Sequence, residues 1–178
     1  MKKIISAGAV VMMMCFVIGC GGSSSGSKYK TFNEEAANLN AEYNATVQSV
    51  FQQQNKNTRK QALQQVQQEY DAAFAEIAKR WKVNASTSTS HINFQNQYCT
   101  QMIETPYQQK VDEIVNKYSS DFSAAFSAGN SSKMGDIARK LGTELGNLTV
   151  LYQNKAKSAE CSFTEVNISD VMDSMIGA

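Results

Sequence analysis

The sequence predicts an all-α fold, an antiparallel helical bundle of three or four long helices with a short C-terminal segment. Three observations predict it. From residue 31 onward, apolar residues recur at steps of three and four. No stretch of that region alternates apolar and polar residues as a half-buried strand would. The interruptions between periodic runs carry Asn, Gly, Ser and Thr, which cap helices and make turns.

The first helix starts at Thr31-Phe32-Asn33-Glu34, a capping box in which Thr31 accepts from the Glu34 N–H and Glu34 reaches back. Phe32, Ala36, Leu39, Tyr43, Val47 and Val50 then line one face. Asn55-Lys56-Asn57 interrupts the run, and Thr58-Arg59-Lys60-Gln61 offers a second capping box. Leu63, Val66, Tyr70, Phe74, Ile77 and Trp81 follow. The 13-residue step from Val50 to Leu63 fits whole turns, so phase does not decide between two helices and one long one. A break near residue 56 is the expectation. Nine Gln lie between Gln48 and Gln68, but apolar residues interleave with them, so they read as a polar helix face rather than as disorder.

Asn84 to Ser90 is a Ser/Thr-rich loop. From Ile92 the period returns through Cys99, Met102, Ile103, Tyr107, Val111, Ile114, Tyr118, Phe122 and Ala125. Pro106 removes one helical hydrogen bond within this run, but the phase continues across it, so a kink is expected and not an end. Gly129-Asn130 is a stop signal. A last long helix runs from about Ser132 to Glu160, with Met134, Ile137, Leu141, Leu145, Leu148 and Tyr152 inward. Ser162-Phe163-Thr164-Glu165 would cap a short final segment, docked by Val171, Met172, Met175 and Ile176.

Ahead of all this stands a different pattern. Lys2 and Lys3 precede the apolar run Ile4 to Ile18, which is too short for a stable membrane span of about 20 residues. The run closes on Val17-Ile18-Gly19-Cys20 and is followed by Gly22-Ser23-Ser24-Ser25-Gly26. This resembles a bacterial lipoprotein signal peptide with its lipobox, although the usual pattern has Leu where Val17 stands. The resemblance implies that Cys20 Sγ receives a diacylglyceryl group, and that cleavage frees its amine for a further acyl chain. Two or more chains anchor stably, because each buried CH₂ contributes about 0.8 kcal/mol. Gly21 stands where an Asp would imply inner-membrane retention, so the resemblance implies the outer membrane. The chain then divides into a signal peptide (1–19), a lipidated Cys with a flexible tether (20–30) and a helical domain (31–178). The tether from Cys20 to Thr31 spans roughly 17–20 Å r.m.s..

The whole chain carries 17 basic and 16 acidic side chains, for a net charge of +1. Loss of Lys2 and Lys3 with the signal peptide takes that to −1. No basic stripe appears, so nucleic acid is not an expected partner. The expected partners are the membrane, through the anchor, and a protein of the cell envelope.

Cys99 and Cys161 each lie 31 residues from residue 130, one on either side. A tight hairpin turning there brings both to the same level, about 46 Å from the turn. Export to an oxidising compartment then predicts a disulfide between them.

No catalytic, metal or cofactor set emerges. His91 is the only His, so a bis-His haem site is impossible, and a Ser/Thr-rich loop holds it; it reads as a solvated surface residue. Glu34-Glu35, Asp112-Glu113 and Asp170 with Asp173 are acidic pairs without the Glu-x-x-His motifs of di-iron bundles. Glu113 with Lys117 and Asp136 with Lys140 are expected i,i+4 ion pairs. Asn44-Ala45-Thr46 and Asn167-Ile168-Ser169 resemble bacterial N-glycosylation acceptors, a match expected by chance in an Asn- and Thr-rich chain. Trp81 is a core lid or an exposed partner anchor, with core preferred. The functional expectation is a non-catalytic binding or structural module. The alternatives are an envelope enzyme or cofactor carrier, recognisable by a polar cleft with two or more titratable groups, and a periplasmic chaperone-like holder with an exposed apolar groove.

Overall fold

The computed structural model describes residues 28–176, most of which lie within helices. The signal segment 1–19 and Cys20 lie outside the described residues, as does most of the tether. Six α-helices follow in order: α1 (Phe32–Phe51), α2 (Lys56–Trp81), α3 (Phe94–Cys99), α4 (Thr105–Ser127), α5 (Ser131–Ala159) and α6 (Ile168–Ile176). A π-turn, Thr100–Glu104, joins α3 to α4. Among the described residues there is no strand, and the all-α reading stands.

The break near residue 56 is real, but its cap is not the expected one. Asn55, not Thr58, caps α2: its side chain accepts from Thr58 N at 3.0 Å. Two candidate caps stood three residues apart, and the earlier one takes the later one's N–H. At the start of α1, Thr31 Oγ1 accepts from Glu34 N at 3.2 Å, as expected. The reciprocal half differs: Glu34 Oε2 accepts from Lys30 N, one residue further out.

The run across Pro106 continues with helical dihedrals at Thr100, Glu104 and Thr105. The helix does not end at Pro106, and a π-turn stands one residue ahead of it, where a kink was expected. Cys99, Ile103, Tyr107 and Val111 are all buried, four residues apart. In a regular α-helix each such step overruns a full turn by about 40°. A turn closed i→i+5 takes up part of that drift and keeps the four on one side.

Gly129 ends α4 in the left-handed region (φ +62). Asn130 N donates to Ala125 O and Gly129 N to Phe126 O, both at 2.9 Å, which closes the last turn. Asn130 then caps α5 by accepting from Lys133 N at 3.0 Å. At the far end of α5, Glu160 is also left-handed (φ 58), and Cys161 N donates back to Ala156 O at 2.9 Å. That reversal aims Cys161 toward α3. The final segment is not capped by Ser162 or Thr164. Asn167 does this, accepting from Ser169 N at 3.0 Å. Met175 is buried beneath α6, while Ile176 is exposed.

Burial divides into two clusters. The first joins α1, α2 and α3 around Val47, Phe51, Tyr70, Phe74 and Phe94. The second joins α4, α5 and α6 around Tyr107, Phe122, Leu141, Leu145 and Met175. Each fully buried side chain of this size contributes about 1.5–3 kcal/mol. The continuous run from Phe94 to Ser127 gives its first turns to one cluster and the rest to the other. The bundle is therefore two antiparallel hairpins in succession, not four helices side by side. Cys161 packs against both clusters and bonds Cys99, with Cα atoms 5.5 Å apart. That distance fits the disulfide range and the level predicted from residue 130.

Candidate functional site

Where the two hairpins meet, a cleft of about 610 Å³ opens between α2, α3 and the end of α5. That volume falls within the range of ligand sites, about 300–1,000 Å³. One wall is a slanting row on α2: Lys56, Lys60, Gln64 and Gln68, each four residues after the last and stepped about 40° round the helix. The other wall is Asn93, Gln95 and Tyr98, with Ala159 and Glu160 closing one end.

The framework of the cleft is hydrogen-bonded internally. Gln67 accepts from Phe94 N at 2.9 Å and donates to Ile92 O at 3.1 Å, which ties the start of α3 to α2. Gln95 donates to Ala159 O at 2.9 Å and so holds the last turn of α5. Arg59 donates to Gln53 O at 2.8 Å, and its guanidinium lies 4.8 Å from the centre of the Tyr98 ring. At the closed end, Lys60 Nζ lies 2.6 Å from Glu160 Oε2 and Lys56 Nζ 3.8 Å from Oε1. The hydrogen bond from Lys60, then its charge, then the charge of Lys56 hold the Glu160 carboxyl below its ordinary value of 4.5. Gln64 and Gln68 are exposed, and their side chains make no hydrogen bond to another described residue.

A lowered carboxyl pKa fixes the sign of the pH response. The folded value lies below the unfolded one, so this contact is fully present above pH 4.5 and lost as pH falls through the folded value. Acidification is expected to release both lysines. In Lys60→Gln the Glu160 titration midpoint, read by carboxyl NMR shifts, should rise toward 4.5; an unchanged midpoint contradicts the assignment.

A second hollow, about 380 Å³, lies beside the π-turn and is lined by Thr100, Glu104, Tyr107 and Phe163 among others. Several of its polar groups are occupied. Thr100 Oγ1 donates to Glu104 at 2.8 Å, and the Tyr107 hydroxyl meets Thr149 Oγ1 at 3.0 Å and accepts from Val166 N at 3.2 Å. The larger cleft is the stronger candidate.

The other singled-out residues have structural partners. His91 is more than solvated: Nε2 lies 2.9 Å from Asp71 Oδ1, and the ring sits edge-on to Tyr70 and Phe74. Trp81 is half-buried and donates from Nε1 to Glu35 Oε2 at 2.6 Å, while Arg80 pairs with the other oxygen of Glu35. Asn44 accepts from Gln97 at 2.8 Å, and Asn167 caps α6. The expected pairs Glu113–Lys117 and Asp136–Lys140 do not form. Glu113 pairs with Lys110 and Asp136 with Arg139, both i,i+3, while Lys117 crosses to Glu144 on α5. Tyr118 donates to the same Glu144 oxygen, a second partner that the intrahelical arrangement does not supply. In the Gln-rich region the exposed Gln48 donates to Gln101 at 3.0 Å, from α1 to the π-turn, and outside that region Gln97 donates to Asn44 at 2.8 Å.

Among the described residues no three His, Cys, Asp or Glu stand together as a metal site, and no helix is long and apolar enough to cross a membrane. Cys20 cannot be placed, because it lies outside the described residues. The sequence reads the Gln residues of α2 as a polar helix face, and their place in a cleft wall was missed. No family model, curated protein or solved structure matches the chain.

Proposed function

We propose that the chain is a lipid-anchored protein of the bacterial envelope, held in the outer membrane through Cys20, and that it acts by binding a partner in the cleft between α2 and α3 without chemical turnover. The observation that carries the binding role is the lining of that cleft. Its wall presents exposed, unpartnered amides beside cations, and these are groups that recognise. Its one carboxylate is held ionised between two lysines, which suits charge pairing better than proton transfer. The lipobox Val17 to Cys20 and the Gly/Ser tether support the anchor.

The anchor has a direct test. Cys20→Ser should leave the precursor uncleaved or release the protein from membranes, and should abolish labelling by radioactive palmitate. Normal processing with retained membrane attachment contradicts the anchor.

A further inference from the structure

We infer that the cleft takes an extended, acidic polypeptide segment, held through its main chain by Gln64 and Gln68 and through its carboxylates by Lys56 and Lys60. This rests on the reading of the cleft as a binding site.

Spacing comes first. Residues four apart on a helix rise about 6 Å and step about 40° round it, so Lys56, Lys60, Gln64 and Gln68 form a row about 18 Å long in rise, inclined about 26° to the axis of α2. In an extended chain, residues on the same side recur every 6.6–6.8 Å or so. The two repeats match closely enough for about five extended residues to lie along the row. A carboxamide offers an N–H donor and a C=O acceptor, the complement of a peptide group. Gln64 and Gln68 keep both sets of atoms open to the cleft. Lysines or serines at those positions would not supply both halves in one planar group.

Charge sets the second condition. Lys56, Arg59 and Lys60 gather at one end against the single carboxylate of Glu160. Both lysines reach for that carboxylate, across about 100 residues of sequence. Glu160 is thus an internal occupant of the place that a ligand carboxylate would take. Arg59 is committed to Gln53 O and to the Tyr98 ring, so a ligand carboxylate would compete with Glu160 for the two lysines. A glycan is the less suited ligand. A sugar ring packs its C–H face on an open aromatic ring, and Tyr98, the one aromatic in the lining, is buried with Arg59 over its face.

The test uses the full lipidated chain in detergent micelles and fluorescence anisotropy. The probes are labelled octaglutamate, a Gly/Ser octapeptide, polyacrylate of equal charge and chitotetraose. Octaglutamate should bind at least tenfold tighter than the Gly/Ser peptide. Lys56→Gln with Lys60→Gln should remove that preference. Glu160→Gln should tighten binding several-fold by freeing both lysines. Gln64→Ala with Gln68→Ala should weaken octaglutamate about fivefold and leave polyacrylate, which has no peptide groups, unchanged. All these side chains are exposed, and unchanged circular dichroism checks that each variant folds. Equal losses for octaglutamate and polyacrylate overturn the main-chain recognition. Binding of chitotetraose in place of octaglutamate overturns the peptide assignment and leaves the cleft a binding site. Binding of no probe overturns the assignment, and crosslinking from position 64 in intact envelopes then decides whether the cleft binds at all.

Discussion

Replacing Cys99 and Cys161 together with Ser is expected to lower stability by about 4 kcal/mol. The bond closes a sequence separation of 62 residues, and the chain-entropy model gives this cost for a loop of that length. A loss of that size is a large fraction of the roughly 5–15 kcal/mol that holds an ordinary domain. The effect should also be uneven. The two burial clusters meet at Cys161, and the α2–α5 contacts there are the exposed pairs of Lys60 and Lys56 with Glu160. Exposed pairs contribute little. Without the bond, the hairpins should lose coupling, and denaturation followed by different probes should no longer coincide. Urea unfolding with and without reductant reads the first effect, and tryptophan fluorescence against circular dichroism reads the second, since Trp81 packs against the first cluster only. A loss below about 1 kcal/mol with coincident transitions contradicts the clamp. Peptide mapping without reduction should recover the Cys99 and Cys161 peptides as one species.

Tyr70 is expected to be the most costly single position in the first hairpin. It is fully buried, and its ring lies 5.2–5.7 Å from the rings of Tyr43, Phe74, Phe94 and His91. Its hydroxyl accepts from Ile92 N at 3.1 Å and donates to Asn40 Oδ1 at 2.8 Å, with Ser90 O at 3.2 Å. One side chain thus holds α1, α2 and the loop before α3. Tyr70→Ala should cost about 3–5 kcal/mol, as large aromatic truncations do. Tyr70→Phe keeps the ring and strands the polar partners, for a loss of about 1–3 kcal/mol. The difference between the two variants separates ring packing from the hydroxyl network. Near-equal losses would mean that the hydroxyl dominates; a neutral Tyr70→Phe would mean that the network contributes nothing.

The α4–α5 hairpin was legible because its instructions are local. Gly129 supplies the left-handed residue that ends one helix, Asn130 caps the next, and the apolar stripes on both sides have unbroken period. The same local logic found the cysteine pair, since two residues equally far from one turn come level, and the pairing holds across the π-turn after Cys99 and the left-handed Glu160 before Cys161. Capping between α1 and α2 was less legible, because Asn55 and Thr58 compete for one role and sequence does not rank them. The division into two clusters was not legible at all. Periodicity says which face of a helix is buried but not against which neighbour, so Phe94 and Ile103, on one run, gave no sign of belonging to different clusters. The cleft was illegible for the same reason. Lys60 and Glu160 are 100 residues apart, Gln95 and Ala159 are 64 apart, and only the Cys99–Cys161 pairing pointed to that junction. The polar row on α2 was read as a solvated face, which it is, with a wall placed opposite it.

The claim that the cleft is the working surface has one direct test. A photoreactive side chain is placed at position 64 in the lipidated protein, and for comparison at position 143, an exposed site on α5 in the second hairpin. Intact envelopes are irradiated and the adducts resolved by mass. The account predicts a discrete adduct from position 64 that weakens when Lys56 and Lys60 are changed to Gln, and none from position 143. Adducts from both positions alike, or none from position 64, would contradict it.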